Sequence, residues 1–250
     1  MIPDGLVEQI RDNLAVVETR MQSAARKAGR DPGLVRLVVV TKAQPIPVVW
    51  AAILAGAGIL GENYAREALE KRAALKDLPA VEWHMIGHVQ SRKSQMVAGN
   101  FDMLHSLDSL HLARRLEQDL AEKNLSMPVL LQFNIGGEAS KSGWQAQDEG
   151  SWPGLLADIR QVLACSHLNV RGVMSMPPYF DHPESSRPYF LSTRLLRDFL
   201  AAHLPGASWQ ELSMGTSSDF SIAIEEGATL VRVGQAILGK RPNSQAVAVK

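Results

Sequence analysis

Short apolar runs alternate with amphipathic segments along most of this 250-residue chain. The apolar runs cover residues 34–41, 57–60, 82–86, 101–105, 127–134, 168–174, 208–212 and 229–233. Segments with helical periodicity lie between them, for example 64–76, 108–123, 152–164, 187–202 and 217–226. Strands that alternate with helices predict parallel βαβ units in an α/β fold. Eight runs are the number that closes a (β/α)8 barrel of the TIM type, although an open doubly wound sheet would show the same alternation.

One further helix precedes the first predicted strand. Its apolar side chains recur at helical spacing, at Leu6, Ile10, Leu14, Val17 and Met21. This spacing predicts an extra N-terminal helix within residues 4–29, which Gly29 and the turn at 31–33 bring to an end. No linker rich in Gly, Pro or Ser divides the chain. We therefore expect a single barrel domain over residues 1–241 and a C-terminal tail over 242–250.

The composition argues against several functional classes. Lys plus Arg and Asp plus Glu number 26 each, so no bulk charge favours nucleic acid or an anionic membrane. Cys165 is the only cysteine, which excludes an internal disulfide and a cysteine-based metal cluster. The N-terminal segment does not resemble a signal peptide, and no apolar stretch approaches the ~20 residues of a membrane helix. We expect a soluble, cytoplasmic protein.

The residues that directly follow the apolar runs are the candidates for function, because parallel barrels bind ligands at the C-terminal ends of their strands. Lys42 lies at the end of the first run, just beyond the apolar stretch 37–40. A lysine at the mouth of an apolar barrel is partly desolvated, which lowers its pKa and frees its amine as a nucleophile. A surface lysine in a strand-to-helix loop is the alternative.

The loops after the seventh and eighth runs predict a phosphate site. Residues 213–219 are rich in hydroxyl groups, and Gly234 allows the backbone to approach a ligand closely. Backbone N–H groups that begin a helix favour an anion, and barrels of this kind recurrently bind phosphate at these two loops. The alternative is an ordinary helix cap at Ser217 or Ser218.

Three other segments carry polar groups at the same end of the predicted barrel. Asn63 follows the second run and offers both a donor and an acceptor. The basic loop 87–93 follows the third run, which contains His84, and is expected to open a helix. The loop 134–143 contains a second lysine, Lys141. The structural alternatives are a helix start at Asn63, solvated surface loops at 87–93 and 134–143, and a hydrogen-bonded strand histidine at His84.

A nucleophilic lysine and a phosphate pocket at one barrel mouth are the two features that pyridoxal 5′-phosphate requires. The amine receives its aldehyde, and the pocket receives its phosphate. The same pair would suit a Schiff-base aldolase that acts on a sugar phosphate. From the residues alone, both functions remain open.

Six segments in register resemble the pyridoxal phosphate homeostasis proteins, which are single-domain relatives of the alanine racemase barrel. The segments are VVVTK at 38–42, GENYAREALEK at 61–71, WHMIGHVQSRK at 83–93, FNIGGEASKSG at 133–143, RGVMSMPP at 171–178 and ELSMGTSSDFSIAIEEGATLVRVGQAILGKR at 211–241. Together they span nearly the whole chain. The resemblance implies the barrel fold and pyridoxal 5′-phosphate bound as an imine on Lys42.

The resemblance also implies the remaining contacts to the cofactor. The implied cofactor-binding residues are Lys42, Asn63, His84, Ser213, Arg232, Gly234 and Gln235. Ser213 and the backbone at Gly234 and Gln235 are implied to hold the phosphate, while the asparagine and the histidine are implied to lie at the pocket rim. Arg232 is implied to lie beside the pyridine nitrogen, where a guanidinium keeps that nitrogen largely unprotonated and mutes carbanion chemistry.

Three positions depart from the family pattern. The family commonly has serine before the lysine, where this chain has Thr41. Arg92 replaces an asparagine in the basic loop, and Thr216 replaces a methionine in the glycine-containing loop. These changes affect the shape of the loop around Arg92 and leave the implied cofactor residues in place.

The resemblance favours binding over catalysis. The full racemases have a second, β-rich domain that supplies a catalytic tyrosine, and we expect it to be absent from a chain that ends soon after residue 241. The tyrosines are Tyr64, Tyr179 and Tyr189. Lys42 would serve one face of a substrate carbon, and no residue obviously serves the other. We expect a protein that buffers the cofactor and delivers it to apoenzymes, with Lys141 as a transient acceptor; a weak amino-acid racemase or lyase is the alternative.

Overall fold

Helices and strands alternate along the computed structural model, which describes residues 2–241. The strands are β1 (Arg36–Val40), β2 (Ile59–Glu62), β3 (Glu82–Met85), β4 (Met103–Leu107), β5 (Met127–Asn134), β6 (Trp144–Gln145), β7 (Leu168–Ser175), β8 (Glu211–Ser213) and β9 (Leu230–Val233). The α-helices are α1 (Leu6–Lys27), α2 (Ile46–Ala55), α3 (Ala65–Ala74), α4 (Leu110–Glu122), α5 (Trp152–Leu163), α6 (Arg187–His203), α7 (Phe220–Glu225) and α8 (Gln235–Leu238).

Parallel pairing closes eight of these strands into a barrel. Within residues 2–241 the strand order is β4-β3-β2-β1-β9-β8-β7-β5, and a further pairing of β4 with β5 completes the circle. The two-residue strand β6 pairs only with the end of β5 and lies outside the circle. Because strand ends that are parallel share one rim, every loop that follows a strand reaches the same mouth of the barrel. The predicted (β/α)8 barrel is confirmed.

Burial explains why these runs form strands. Successive side chains along each strand face the helices and the barrel interior in turn. The outward side chains join the helices in the main apolar core, whereas a separate small cluster fills the interior. The interior cluster consists of Val38, Ile59, Met103, Leu130, Met174 and Leu230. The interior also contains buried polar side chains, among them His84, His105 and Arg232.

The observed helices differ from the expected ones at a few places. The N-terminal helix α1 lies within the predicted range 4–29 and packs on α2, which was not predicted. The basic loop after β3 was expected to open a helix, and it opens the 3₁₀ helix Ser91–Met96. The predicted tail, 242–250, lies outside the described residues. No helix within residues 2–241 is both long enough and apolar enough to cross a lipid bilayer.

A close approach of β7 and β8 generates a testable consequence at Gly172. Its φ is 155°, and a Cβ atom there would overlap the carbonyl oxygen of Glu211 on the neighbouring strand. Gly172→Ala should therefore lower the free energy of unfolding by about 2 kcal/mol or more, measured by urea denaturation. Gly154→Ala is the matched control, because nothing lies near a Cβ atom at this exposed helical position. The control should raise stability by about 0.5–1 kcal/mol, and equal losses in both variants would contradict the packing argument.

Candidate functional site

A cavity of about 620 Å³ opens at the C-terminal mouth of the barrel. Its volume is in the range of sites that bind small molecules and cofactors. Five of the residues proposed from sequence line this cavity: Lys42, Asn63, Arg232, Gly234 and Gln235. The structure thus brings together side chains from loops that are far apart in the chain.

Lys42 follows β1 and is partly buried at the cavity wall. Burial lowers the pKa of its ammonium group, and the positive charges of Arg241 and Arg232 act in the same direction. The carboxylate of Glu62 opposes this shift. A lowered pKa increases the fraction of free amine at neutral pH, so Lys42 is suited to attack a carbonyl carbon.

Buried polar groups hold the backbone on both sides of Lys42. On one side, the Thr41 carbonyl oxygen accepts a hydrogen bond of 2.7 Å from Lys71 Nζ. On the other side, the backbone N–H of Ala43 donates to Glu67 Oε1 at 2.8 Å. Ala43 adopts a positive φ of 55°, which is uncommon for a residue with a Cβ atom. These two contacts, made by Lys71 and Glu67, form a clamp on the backbone. The clamp stabilises a backbone conformation that directs Lys42 at the barrel mouth.

Lys71 is the centre of this clamp. Its ammonium group also contacts Glu62 Oε1 at 2.7 Å and Glu67 Oε1 at 2.6 Å. The side chains of Lys71 and Glu62 are 4% and 0% exposed. Burial raises the pKa of Glu62, and the charge and hydrogen bond of Lys71 partly offset that increase. Because both carboxylates depend on this one cation, its removal would leave buried negative charge without a partner.

Hydroxyl groups and backbone N–H groups form a cradle at the ends of β8 and β9, beside the end of β1. Thr216, Ser217 and Ser218 line the cavity after β8, and Gly234 lines it after β9. The N–H of Gly234 donates to Ser217 Oγ at 3.2 Å, so these two loops already touch. A Cβ atom at Gly234 would lie 3.1 Å from the Val40 carbonyl oxygen, so a side chain has little room at this position. The donors of the cradle suit a phosphate group.

The alternative role for the hydroxyl loop, a helix cap at Ser217 or Ser218, is wrong. Asp219 is the residue that precedes α7. Its Oδ1 accepts hydrogen bonds from the backbone N–H of Thr216 at 2.6 Å and from the Thr216 hydroxyl at 3.0 Å. Because Asp219 shapes the turn, the serine hydroxyls are not needed for the start of the helix.

Arg232 lines the cavity from the barrel interior. Nη1 donates to Ser213 Oγ at 2.6 Å, and Nη2 donates to the Ser175 carbonyl oxygen at 3.0 Å. Burial lowers the pKa of Arg232 to about 10, so the guanidinium still carries its charge at neutral pH. A fixed cation therefore forms part of the cavity floor.

Two residues lie elsewhere than the resemblance implied. His84 was expected at the rim; in the structure its side chain is fully buried in the interior, where it contacts Glu82 Oε2 at 2.9 Å and His105 at 3.0 Å. Alternation along β3 turns His84 inward, and the strand places it below the rim. Ser213 is also fully buried; its hydroxyl contacts Arg232 and His105 rather than the cavity. His105 was not identified from sequence, and its only signal was its place in the fourth apolar run.

The rim carries a histidine that sequence reasoning named only as part of a loop. His88 lines the cavity, and its Nδ1 lies 2.6 Å from Asp108 Oδ2 and 3.2 Å from Ser142 Oγ. Lys141 also lines the cavity. Its Nζ donates to the carbonyl oxygens of residues 176 and 177, at 3.1 and 2.8 Å, and lies 2.5 Å from Glu138 Oε2. The ammonium of Lys141 is thus held as a hydrogen-bond donor.

The groups around the cavity fit pyridoxal 5′-phosphate. An amine of lowered pKa, a cradle of hydroxyl and N–H donors and a buried guanidinium match its aldehyde, its phosphate and its ring nitrogen. This geometry defines a class of (β/α)8 barrels that carry a nucleophilic lysine beside an anion cradle.

Comparison with known proteins gives the family. Residues 8–242 match the model of the alanine racemase N-terminal domain. Curated relatives named pyridoxal phosphate homeostasis protein are 40% identical in Pseudomonas aeruginosa, over 93% of this chain and 96% of the relative, and 37% identical in Aquifex aeolicus, over 92% and 97%. The chain belongs to the pyridoxal phosphate homeostasis protein family, as its sequence motifs indicated.

Solved structures agree with this assignment. PipY of Synechococcus elongatus, solved with PLP bound, is 32% identical, has a TM-score of 0.79 and is matched over 92% of this chain and 100% of its own. An alanine racemase from Clostridium difficile is 13% identical with a TM-score of 0.68, over 95% of this chain and 57% of the racemase. The second match shows that the barrel fold is shared with racemases.

The clamp around Lys42 makes Lys71 the test of local stability. Lys71→Met removes the cation between two carboxylates and should lower the free energy of unfolding by about 3–5 kcal/mol. Arg66→Met is the control, because the pair Arg66–Glu70 lies 3.1 Å apart on an exposed helix surface. Its loss should cost about 0.5 kcal/mol or less. Urea denaturation measures both, and similar small losses would show that the buried cluster contributes little.

Proposed function

We propose that this protein binds pyridoxal 5′-phosphate through a covalent linkage to Lys42 and serves its supply to other proteins. The observation that carries the proposal is the placement of a lysine amine of lowered pKa and a cradle of anion donors on one cavity. The printed names of the relatives support it, since they are called pyridoxal phosphate homeostasis proteins and PipY was solved with PLP.

Each residue of the site has a role in this proposal. Lys42 supplies the amine that condenses with the aldehyde. The hydroxyl loop 216–218 and the backbone at Gly234 and Gln235 hold the phosphate. Arg232 faces the pyridine nitrogen, and Asn63 contacts the cofactor from the rim. The bound cofactor supplies an electrophilic ring, and a guanidinium that retains its proton keeps the ring nitrogen from becoming a strong electron sink.

This arrangement favours carriage of the cofactor over turnover of a substrate. A guanidinium at the ring nitrogen weakens carbanion stabilisation, while a partly exposed lysine remains accessible to an exchanging amine. The proposed partners are apoenzymes that require the cofactor. The single cysteine and the lack of a membrane-spanning helix among residues 2–241 agree with a cytoplasmic location.

Cofactor loading tests the linkage directly. Protein incubated with pyridoxal 5′-phosphate should gain a visible absorption band that borohydride bleaches, and peptide mass spectrometry should find the reduced adduct on Lys42. Lys42→Ala should abolish the band. Lys76→Ala is the control, because Lys76 is exposed on the surface away from the cavity, and it should retain the full band. A colourless wild-type protein would contradict the proposal and leave the Schiff-base aldolase as the alternative.

A weak amino-acid racemase is the second candidate. The contact between His88 and Asp108 at the cavity rim favours it. Asp108 Oδ2, at 2.6 Å from Nδ1, orients the His88 ring at the cavity rim. An imidazole held in this way by a carboxylate is a suitable general base. His88 would therefore supply the second base that sequence reasoning did not find.

Solvent-deuterium exchange separates carriage from catalysis. Loaded protein in deuterated buffer with alanine should incorporate deuterium at the α-carbon no faster than Lys42→Ala treated in the same way, because carbanion formation is suppressed. NMR of the amino acid measures the incorporation. An exchange rate well above that control would establish the racemase instead, provided that the rate falls in His88→Ala. Transfer of the cofactor to a defined apoenzyme, followed by its recovered activity, measures carriage itself.

A further inference from the structure

A chain of hydrogen bonds crosses the barrel interior from its N-terminal end to the cavity. It begins at Glu82 Oε2, which lies 2.9 Å from His84 Nε2. His84 Nδ1 lies 3.0 Å from His105 Nε2, and His105 Nδ1 lies 2.8 Å from Ser213 Oγ. Ser213 Oγ finally accepts from Arg232 Nη1 at 2.6 Å. Four strands, β3, β4, β8 and β9, therefore contribute to one connected path.

The two ends of this path determine its direction. The carboxylate of Glu82 only accepts hydrogen bonds, and the guanidinium of Arg232 only donates them. Each neutral imidazole between them has one donor and one acceptor, and the Ser213 hydroxyl has one proton to donate. The chain is therefore satisfied only if every hydrogen bond is donated from the Arg232 end towards Glu82.

Burial supports the neutral form of both imidazoles. Desolvation lowers the pKa of His84, and it lowers that of His105 well below the usual value. The cations that face the pair, Arg36 and Arg232, act in the same direction, whereas Glu82 raises the pKa of His84. In this state both imidazoles carry their proton on Nε2, and the Ser213 hydroxyl donates to His105 Nδ1.

The direction of the chain restricts what Ser213 is able to bind. A serine hydroxyl has a single proton to donate, and here that proton is directed at His105. Its oxygen already accepts from Arg232, and the side chain is fully buried. A phosphate oxygen needs a donor, which Ser213 no longer has. The Ser217 hydroxyl lines the cavity and accepts from the Gly234 N–H, so its own proton remains for a ligand.

We infer that Ser213 and His105 are positioning residues for the guanidinium of Arg232, and that Ser213 donates no hydrogen bond to the phosphate. The inference rests on the proposed function, because it assigns different parts of the cofactor to different residues. Ser213 and the Ser175 carbonyl together orient the guanidinium in the plane that faces the cavity. Loss of Ser213 would leave one buried Nη1 donor unsatisfied and free the guanidinium to turn.

A comparison of two ligands separates the phosphate contact from the ring contact. Pyridoxal 5′-phosphate and pyridoxal share the ring and the aldehyde, but only the first carries phosphate. Ser213→Ala should weaken both ligands by the same factor, about tenfold, and shift the absorption maximum of both complexes. Ser217→Ala should weaken only the phosphorylated ligand, also about tenfold, and leave the spectrum unchanged. Arg232→Ala supplies the reference spectrum of a site without the guanidinium.

The opposite pattern would overturn the inference. If Ser213→Ala weakens only pyridoxal 5′-phosphate and leaves the spectra of both complexes unchanged, Ser213 is a phosphate ligand. If wild-type protein binds neither compound, the proposed function fails and the phosphate assignment fails with it. The two failures are therefore distinguishable by the wild-type measurement alone.

Substitutions at His105 test the chain without altering Ser213. His105→Gln retains one acceptor and one donor, so it should keep the wild-type spectrum of the bound cofactor. His105→Leu removes both and should reproduce the spectral shift of Ser213→Ala. Identical spectra for the glutamine and leucine variants, each equal to wild type, would show that His105 has no positioning role.

Histidine NMR tests the direction of the chain in protein free of cofactor. The ¹⁵N shifts of His84 and His105 at neutral pH should identify both as neutral rings protonated on Nε2. An Nδ1-protonated His105 would place a donor against Ser213 Oγ and overturn the inference, whatever the outcome of the binding experiments. Folded Ser213→Ala protein should show a changed His105 Nδ1 shift, because that nitrogen loses its donor.

Discussion

Backbone pairing between β1 and β9 joins the first and last strands of the barrel and determines which groups meet at its mouth. The register aligns Val39 with Val233, so that Val40 and Gly234 lie side by side at the strand ends. Lys42 lies two residues beyond Val40, and the cradle begins at Gly234 itself. A slip of one residue would turn the side chains of a strand to its opposite face. The amine and the anion cradle are therefore neighbours because of one strand register.

The same strand register also places polar side chains, including Arg232, inside the barrel. Burial of a charge such as Arg232 is costly unless hydrogen bonds and partners compensate for lost water. Here the Ser213 hydroxyl and the Ser175 carbonyl accept those hydrogen bonds, and His105 in turn contacts Ser213. On the other side of the cavity, Lys71 and its two carboxylates hold the backbone around Lys42. In both places, buried polar contacts orient a basic residue, Arg232 or Lys42, at the site.

Hydrophobic patterning predicted the alternation of strands and helices, and the number of apolar runs favoured the closed barrel over an open sheet. The bounds were predicted best where a run is long and uninterrupted: the range 127–134 coincides with β5. They were predicted less well beside irregular backbone. The run 208–212 was expected to be a strand, but β8 begins only at Glu211, after Trp209 adopts a positive φ of 51°. Similarly, α7 starts at Phe220 because Asp219 and Thr216 form a turn before it.

The site was predictable only in part, for a physical reason. A position after a strand predicts that a side chain reaches the mouth, which is why Lys42, Asn63 and Gly234 line the cavity. It does not predict partners across the interior. His105 and Ser213 are 108 residues apart in the chain, and only the closed barrel brings them within 2.8 Å. The role of Ser213 therefore required the structure.

A crystal structure of the protein soaked with pyridoxal 5′-phosphate tests the central claim most directly. The account predicts continuous density from Lys42 Nζ to the ring, with the phosphate against residues 216–218 and Gly234 and the guanidinium of Arg232 facing the ring nitrogen. Density joined to a different lysine, or a phosphate bound away from this cradle, would contradict it.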